Sequence, residues 1–408
     1  MLTKQAILDV IYSQEESLRI KSKGIERESL KSIKLVASFA LIISGIRRCG
    51  KSTLLHQLCD KYNPKYYLNL EDPRLAGFDI QDFIRAEEVF KEKYGLGGTF
   101  FFDEIQNIPE WEKYIRNLVD RNIKVVVTGS NASLLSCELG AKLTGRNLRL
   151  ELFPFSYQEF LTITKMQAGL NSYAIYLKKG GFPEYLALEN DEVLQRLLND
   201  IVMRDVVFRH SIKNEQLVKK MAIYLISNAA KEFSFNYLKK IFEVSAIQTV
   251  IDYVSFLEDS YMLFTIPLFS YSPKKQQISP KKAYSIDTGF SSANSSSFSE
   301  DMGRVLENQV FLALRRKHSE IFYYRNKKEC DFLIKEKNKI ICAIQVCLAI
   351  NEDNKKREID GLKEAMADLK LNEGLILTYD QEDSFTIEGR KITVKPVWKW
   401  LLEDNNKE

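Results

Sequence analysis

Eight residues of this 408-residue chain combine types and spacing with a definite chemical use: Gly45-Ile46-Arg47-Arg48-Cys49-Gly50-Lys51-Ser52. They fit the P-loop pattern of Gly, four residues, Gly-Lys-Ser/Thr. Its glycines let backbone N–H groups close around phosphate oxygens. Lys51 can reach β- and γ-phosphates, and the Ser52 hydroxyl can ligate Mg²⁺. The candidate nucleotide-binding set therefore runs Gly45, Ile46, Arg47, Arg48, Cys49, Gly50, Lys51, Ser52 and Thr53. The elements around it must aim it. Leu35–Ile43 is mostly apolar and reads as a buried strand, and Ser52–Leu58 has apolar residues at helical spacing. Strand, glycine loop and helix place a helix N-terminus at the phosphates. The expected ligands are ATP and Mg²⁺.

A P-loop needs an acid on a neighbouring strand. Gly98-Thr99-Phe100-Phe101-Phe102-Asp103-Glu104-Ile105-Gln106 supplies one. Three consecutive phenylalanines suit a strand buried on both faces of a parallel sheet. Asp103 would end that strand, where ligands bind in open α/β sheets, and would hold Mg²⁺ directly or through water. Glu104 is the candidate base for the attacking water. The alternative is that Asp103-Glu104 caps a helix at Glu110–Asp120. A third strand is expected at Ile123–Thr128, followed by Gly129-Ser130-Asn131. Ser130 or Asn131 could sense the γ-phosphate or the lytic water, or could cap a turn before Leu134-Leu135. Arg146 follows Gly145 at a turn into a strand. It could stabilise transition-state charge in cis or on a neighbouring subunit, or form a surface ion pair.

Composition sets the bounds. The length suggests two to three domains. Hydrophobic residues make up 45% and charged residues 28%, as in soluble globular proteins. No apolar run reaches the roughly 18 residues of a membrane span, and the N-terminus lacks a signal-peptide layout, so a cytoplasmic location is the default. Six scattered cysteines (Cys49, Cys59, Cys137, Cys330, Cys342, Cys347) and three histidines argue against a zinc site and for free thiols. A net charge of +4, from 59 Lys+Arg against 55 Asp+Glu, is too balanced to point to nucleic acid.

The P-loop with two internal arginines, Asp103-Glu104-Ile105-Gln106, Thr128-Gly129-Ser130, Leu143-Thr144-Gly145-Arg146 and Pro154–Phe160 occur in one order and spacing. Together they resemble the prokaryotic AAA-type P-loop ATPases related to the archaeal ATPase and STAND groups. Gly180-Gly181-Phe182-Pro183-Glu184 and Asp200–Asp205 are similar to that family's linking segment. The resemblance implies ATP binding, ATP hydrolysis and the sheet order of the AAA class. It also implies a C-terminal restriction-endonuclease-like domain of unknown function. Glu26–Leu30 falls where such proteins cradle adenine, although a solvated helix face reads better there.

Downstream the pattern changes. Helices are expected at Leu217–Ala229, Ser234–Ile241 and Ser245–Leu257, and strands at Met262–Phe269 and Lys281–Ile286 around a hairpin with Lys274 and Lys275. Three helices and a basic hairpin form a winged-helix layout, which could contact DNA. The third helix has no Lys or Arg and carries Asp252, which suits packing on a partner equally well. Self-association or a protein partner fits such a module; a membrane does not. Ser291–Ser299 reads as a loop. A helix at Met302–Arg316, strands at 321–325, 330–335 and 340–346, a helix at 353–369 and strands at 374–379 and 391–397 follow. This order resembles the restriction-endonuclease-like core. In that core Glu307, Asp331 and Gln345-Val346-Cys347 fall at the metal-binding and catalytic places, but Cys347 stands where a lysine belongs. A neutral thiol cannot do a cation's work, and nothing marks Lys335 as a substitute. A degenerate binding or docking module is expected, not an active nuclease. The expected organisation is α/β throughout: an ATPase core at 1–165, a helical linker with a winged-helix-like module at 166–290, and the last domain at 291–408.

Overall fold

The computed structural model describes residues 2–20, 22–135, 140, 142–295 and 301–403. It divides into two compact units, Met1–Leu152 and Phe153–Glu408. The modules expected at 166–290 and 291–408 thus lie within one unit. Cys137 and residues 296–299 of the serine-rich stretch lie outside the described residues.

The first unit is built on β1 (Ala40–Ser44), β2 (Lys65–Asn69), β3 (Thr99–Asp103), β4 (Val125–Gly129) and β5 (Asn147–Glu151). All pair in parallel, in the order β2-β3-β4-β1-β5. The three central strands are buried along their whole length, and each carries an apolar run, Ala40–Ile43, Phe100–Phe102 and Val125–Val127. Phe100 and Phe102 face one side, against Tyr114 and Phe83, while Phe101 faces the other, toward Tyr62. Helix α1 (Lys4–Ile20) was not legible in the sequence, and it packs on α3 (Ile80–Tyr94) through Ile7, Val10 and Ile11. Between them in sequence lies α2 (Lys51–Cys59), and α4 (Trp111–Asp120) follows β3. The first strand begins at Ala40 rather than Leu35, because Ala40 is the first residue to meet a partner, Asn147. With the P-loop joining β1 to α2 beside β3 and β4, this is the P-loop NTPase fold.

In the second unit, helices Glu215–Ser227, Phe235–Ile241 and Ile247–Asp259 accompany an antiparallel sheet ordered β6-β8-β7. Its strands are β6 (Glu232–Phe233), β7 (Leu263–Pro267) and β8 (Lys281–Ser285). Ser234 caps the second helix, accepting from the Tyr237 N–H at 3.2 Å. The hairpin tip carries a short helix, Pro273–Ile278. Residues 291–294, expected as loop, belong to the helix Thr288–Asn294, because the buried Asp287 caps it through the Phe290 N–H at 2.8 Å.

The expected helix, three strands, helix and strand then follow. Helices Met302–Arg315 and Lys355–Asp368 accompany a six-stranded sheet ordered β13-β14-β12-β11-β10-β9. The strands are β9 (Ile321–Arg325), β10 (Glu329–Glu336), β11 (Lys339–Val346), β12 (Glu373–Thr378), β13 (Asp383–Ile387) and β14 (Arg390–Pro396). β13, a mostly exposed hairpin strand, was not foreseen. Among the described residues no helix is long and apolar enough to cross a membrane.

Candidate functional site

The P-loop turns over the carboxyl end of β1. A Cβ on Gly45 would stand 2.1 Å from the Leu152 carbonyl oxygen, so only glycine lets the chain pass. Gly50 has φ of 102°, a left-handed geometry that disfavours a side chain. Helix α2 starts at the next residue, so its free N–H groups face the loop. The Lys51 side chain is only 3% exposed and its Nζ lies 3.8 Å from Glu104 Oε1. It donates to the carbonyls of Gly45 and Ile46, at 3.0 Å each. Ile46 and Cys49 are buried beneath the loop, Arg48 is exposed, and Arg47 pairs with Glu71 at 3.2 Å. Ser52 and Thr53, in the first turn of α2, are half-buried.

Two strands away, Asp103 ends β3 and is 1% exposed. Burial raises its carboxyl affinity for a proton, and the Glu104 charge adds to this; hydroxyl hydrogen bonds from Thr128 and Ser52 oppose it. Thr128 donates to one carboxylate oxygen, and Tyr67 donates to the other at 3.4 Å. Glu104 follows in a left-handed conformation with φ of 54°. Its N–H donates to Thr128 Oγ1 at 3.1 Å, and Gln106 Nε2 donates to its carboxylate at 2.5 Å. Gln106 Nε2 also lies 3.4 Å from Ser130 Oγ. The buried Ser130 side chain therefore joins the site. The Asn131 carbonyl accepts from Ser44 Oγ at 2.6 Å and from the Leu134 N–H at 3.2 Å, so Asn131 holds the turn. Neither Asp103 nor Glu104 caps α4, whose N-cap position is Glu110.

Lys51, Ser52, Asp103, Glu104 and Ser130 thus meet at the carboxyl ends of adjacent strands. The glycine-lined loop, the helix N-terminus, a hydroxyl and a buried carboxylate fit a nucleoside triphosphate with a divalent cation. Arg146 is not brought there. Its carbonyl accepts from the Ala40 N–H at 3.2 Å, which puts it at the amino end of β1. The strand length separates the two ends by about 13 Å. Its guanidinium pairs with Asp120. The surface ion-pair reading holds for Arg146, and a transition-state role within the same chain does not.

Sequence reasoning missed four supporting residues. Arg27 is 2% exposed and its Nη1 donates to the Cys49 carbonyl at 2.8 Å, beneath the P-loop. Glu26–Leu30 is therefore not simply a solvated face. Thr128, Gln106 and Tyr67 fix Asp103 and Glu104. Thr128 and Gln106 stood inside quoted motifs, but nothing local marked their bonds.

A second group of acids lies in the other unit. Glu307 and Asp331 do converge there, and the cation beside them is Lys282 from β8. Its Nζ lies 2.9 Å from Glu307, 2.7 Å from Glu329 and 3.1 Å from Asp331, and its side chain is 3% exposed. Burial pushes Glu307 well above the ordinary carboxylate range, and the neighbouring Asp331 adds to it against the pull of Lys282. Gln345 is spent on structure: it accepts from the Asp331 N–H at 3.3 Å and donates to Glu358 at 2.9 Å. Burial pushes the Cys347 thiol up to about 12, so it stays neutral. Lys335 pairs with Glu320 at 2.6 Å.

The AAA domain family matches residues 37–161. Two domains of unknown function follow, DUF8612 over residues 170–301 and DUF4143 over 302–400. An uncharacterized protein of Methanocaldococcus jannaschii is 36% identical over 437 residues, covering 98% of this chain and 96% of the relative. An uncharacterized protein of Haemophilus influenzae is 28% identical over 389 residues, covering 90% and 94%. Among solved structures, AMPPCP-bound DnaA from Aquifex aeolicus is 12% identical and covers 60% of this chain and 85% of its own, with a TM-score of 0.26. The S. cerevisiae Hsp104–ADP complex is 13% identical and covers 64% and 49%, with a TM-score of 0.28. At such scores neither likeness bears on what this chain does.

Proposed function

The chain belongs to the family of its Methanocaldococcus jannaschii relative and carries an AAA domain at residues 37–161; we propose an Mg²⁺-dependent ATPase that works as a nucleotide-driven switch. One observation carries the reading: Lys51 and Ser52 from one segment and Asp103 and Glu104 from another converge at the carboxyl ends of β1 and β3. In this reading the loop amides of residues 45–50 and the α2 N-terminus bind the phosphates. Lys51 exchanges its two carbonyl partners for β- and γ-phosphate oxygens and neutralises their charge. Ser52 and Asp103 would hold Mg²⁺, which supplies charge neutralisation on the transferring phosphoryl group. Glu104, held by Gln106, accepts the proton of the attacking water. Ser130 reports on the γ-phosphate end of the site through Gln106.

The test is ATP turnover and nucleotide binding by wild type, Lys51→Ala and Glu104→Gln. Equal background rates and no binding in all three would sink the proposal.

A second reading, an ATP-gated DNA binder, has one observation in its favour. Lys274 and Lys275 are exposed at the hairpin tip. Against it, the helix Ile247–Asp259 has no basic residue, and its Glu258 ties the helix to β7 by accepting from Thr265 at 2.8 and 3.0 Å. ATP turnover that rises with DNA at low salt would favour this reading; no change would remove it. The C-terminal module, whose element order resembles the restriction-endonuclease-like core, is proposed as a docking module.

A further inference from the structure

The acids of the C-terminal domain are closed by a residue from outside that domain. We propose that Lys282 is an internal plug and latch. Its ammonium fills the cation position among Glu307, Glu329 and Asp331, which blocks metal-dependent chemistry there and ties β8 to the C-terminal domain as one body.

The coordination supports the plug. An ammonium has three N–H donors, and Lys282 has three carboxylate partners, at 2.7, 2.9 and 3.1 Å. The second oxygen of Asp331 accepts from the Val346 N–H at 3.0 Å. Tyr284, two residues along β8, donates to the same Glu307 oxygen as Lys282, at 2.8 Å. Lys282 and Asp331 are both buried, and of the three acids Glu329 is the most exposed, with 30% of its side chain accessible. Lys282 thus supplies the positive charge that Cys347 cannot, but from a position that closes the cluster.

Flanking contacts support the latch. Ser285 exchanges two hydrogen bonds with the Asn308 side chain, at 2.8 and 3.1 Å. Tyr284 stacks on Phe311 with ring centroids 4.2 Å apart. Tyr323 Oη donates to the Pro280 carbonyl at 2.7 Å, and Arg325 pairs with Glu232 at 2.5 Å. Side chains from the helix Met302–Arg315 and from β9 therefore grip both ends of β8 and the start of β6. The hairpin's own strand is not a free wing, and only its tip is exposed. This inference is independent of ATP turnover.

The full-length wild type, Lys282→Met, Lys282→Ala, Asp331→Asn and Lys282→Ala/Asp331→Asn are compared by thermal unfolding in EDTA and in excess Mn²⁺. DNA cleavage by the wild type is assayed with Mg²⁺ and with Mn²⁺. Expected are no cleavage and no Asp331-dependent Mn²⁺ shift in the wild type. Lys282→Met, which leaves buried carboxylates without their cation, should lower Tm on the order of 10 °C. Lys282→Ala should gain a stabilising Mn²⁺ shift that Asp331→Asn removes. Cleavage by the wild type that Asp331→Asn abolishes would show that Asp331 still serves metal-dependent chemistry and would overturn the plug. A Lys282→Met protein melting with the wild type would overturn the latch, and a Lys282→Ala protein indifferent to Mn²⁺ would overturn the assigned cation position. If neither Lys282 variant folds, the wild-type and Asp331→Asn arms still decide the plug.

Discussion

Two lysines invite comparison. Lys51 and Lys282 each have a side chain only 3% exposed, and each has at least one acid beside it. Lys51 spends its donors on two neutral carbonyls, with one carboxylate 3.8 Å away. Those carbonyls are weak competitors for an incoming phosphate, whose charge-assisted bonds are about twice as strong as neutral ones. Lys282 is saturated by three carboxyl groups within 3.1 Å. Displacing it would strand several charges out of water, which costs several kcal/mol per ion. The same residue types thus make an exchangeable site in one unit and a fixed joint in the other. What separates them is the backbone: a glycine loop at a helix N-terminus leaves room for a ligand, whereas a strand laid across the acids does not.

The comparison breaks first at Glu104. Glu104→Gln should lower steady-state ATP turnover on the order of 100- to 10,000-fold while ATP still binds. Lys51→Ala should lose both turnover and binding. Retained turnover in either would mean that the exchangeable site lies elsewhere.

Glu307 offers a test through pH. Its folded-state proton affinity is raised by burial and by Asp331, with Lys282, Tyr284 and Glu329 also around it. The folded chain therefore holds this proton more tightly than the unfolded chain. The contribution is full below the ordinary glutamate value of about 4.3 and is lost as pH rises toward the raised value, by up to about 1.4 kcal/mol per pH unit. Glu307→Gln stays neutral at every pH and should flatten the stability profile above pH ~4.3 measured by urea unfolding. An unchanged slope would show that Glu307 is charged in its pocket.

Arg27→Met should destabilise the first unit by about 1–3 kcal/mol, because the Cys49 carbonyl loses its buried donor, and should weaken ATP binding through the loosened loop. Isothermal titration with ATP checks the second effect. The smallest change is expected at Arg146. An exposed pair with Asp120 contributes at most about 1 kcal/mol, so Arg146→Ala should leave turnover within about twofold in dilute protein. A loss that appears only at high protein concentration would reinstate Arg146 as a residue acting on a neighbouring subunit.

Much of the first unit was legible because its signals are local. Phe100–Phe102 announce a strand buried on both faces, and the glycine spacing announces a loop before any tertiary contact is known. The edge strand β2 was not legible, because Lys65–Asn69 is half-exposed and lacks a continuous apolar run. Helix α1 was missed for a similar reason: its inward face is narrow, and Ile7, Val10 and Ile11 find their partners far along the chain. In the C-terminal domain the element order was readable from periodicity, but the cation was not. Asp331 lies 49 residues from Lys282, and only the fold brings them within 3.1 Å.

Residue types and short spacings alone set out the chemistry on offer: a loop of P-loop pattern, an acid pair at the end of a buried strand, and acids at Glu307 and Asp331 with the neutral thiol of Cys347 further along the chain. These depend on residue type and on short spacings, which the chain states directly. Tertiary structure alone decided which charges meet. Parallel pairing of β5 with β1 carried Arg146 to the far end of the sheet, and the packing of β8 set Lys282 among three carboxylates. Charge interactions weaken with separation in space, so their partners are chosen by strand register and helix packing, not by distance along the chain.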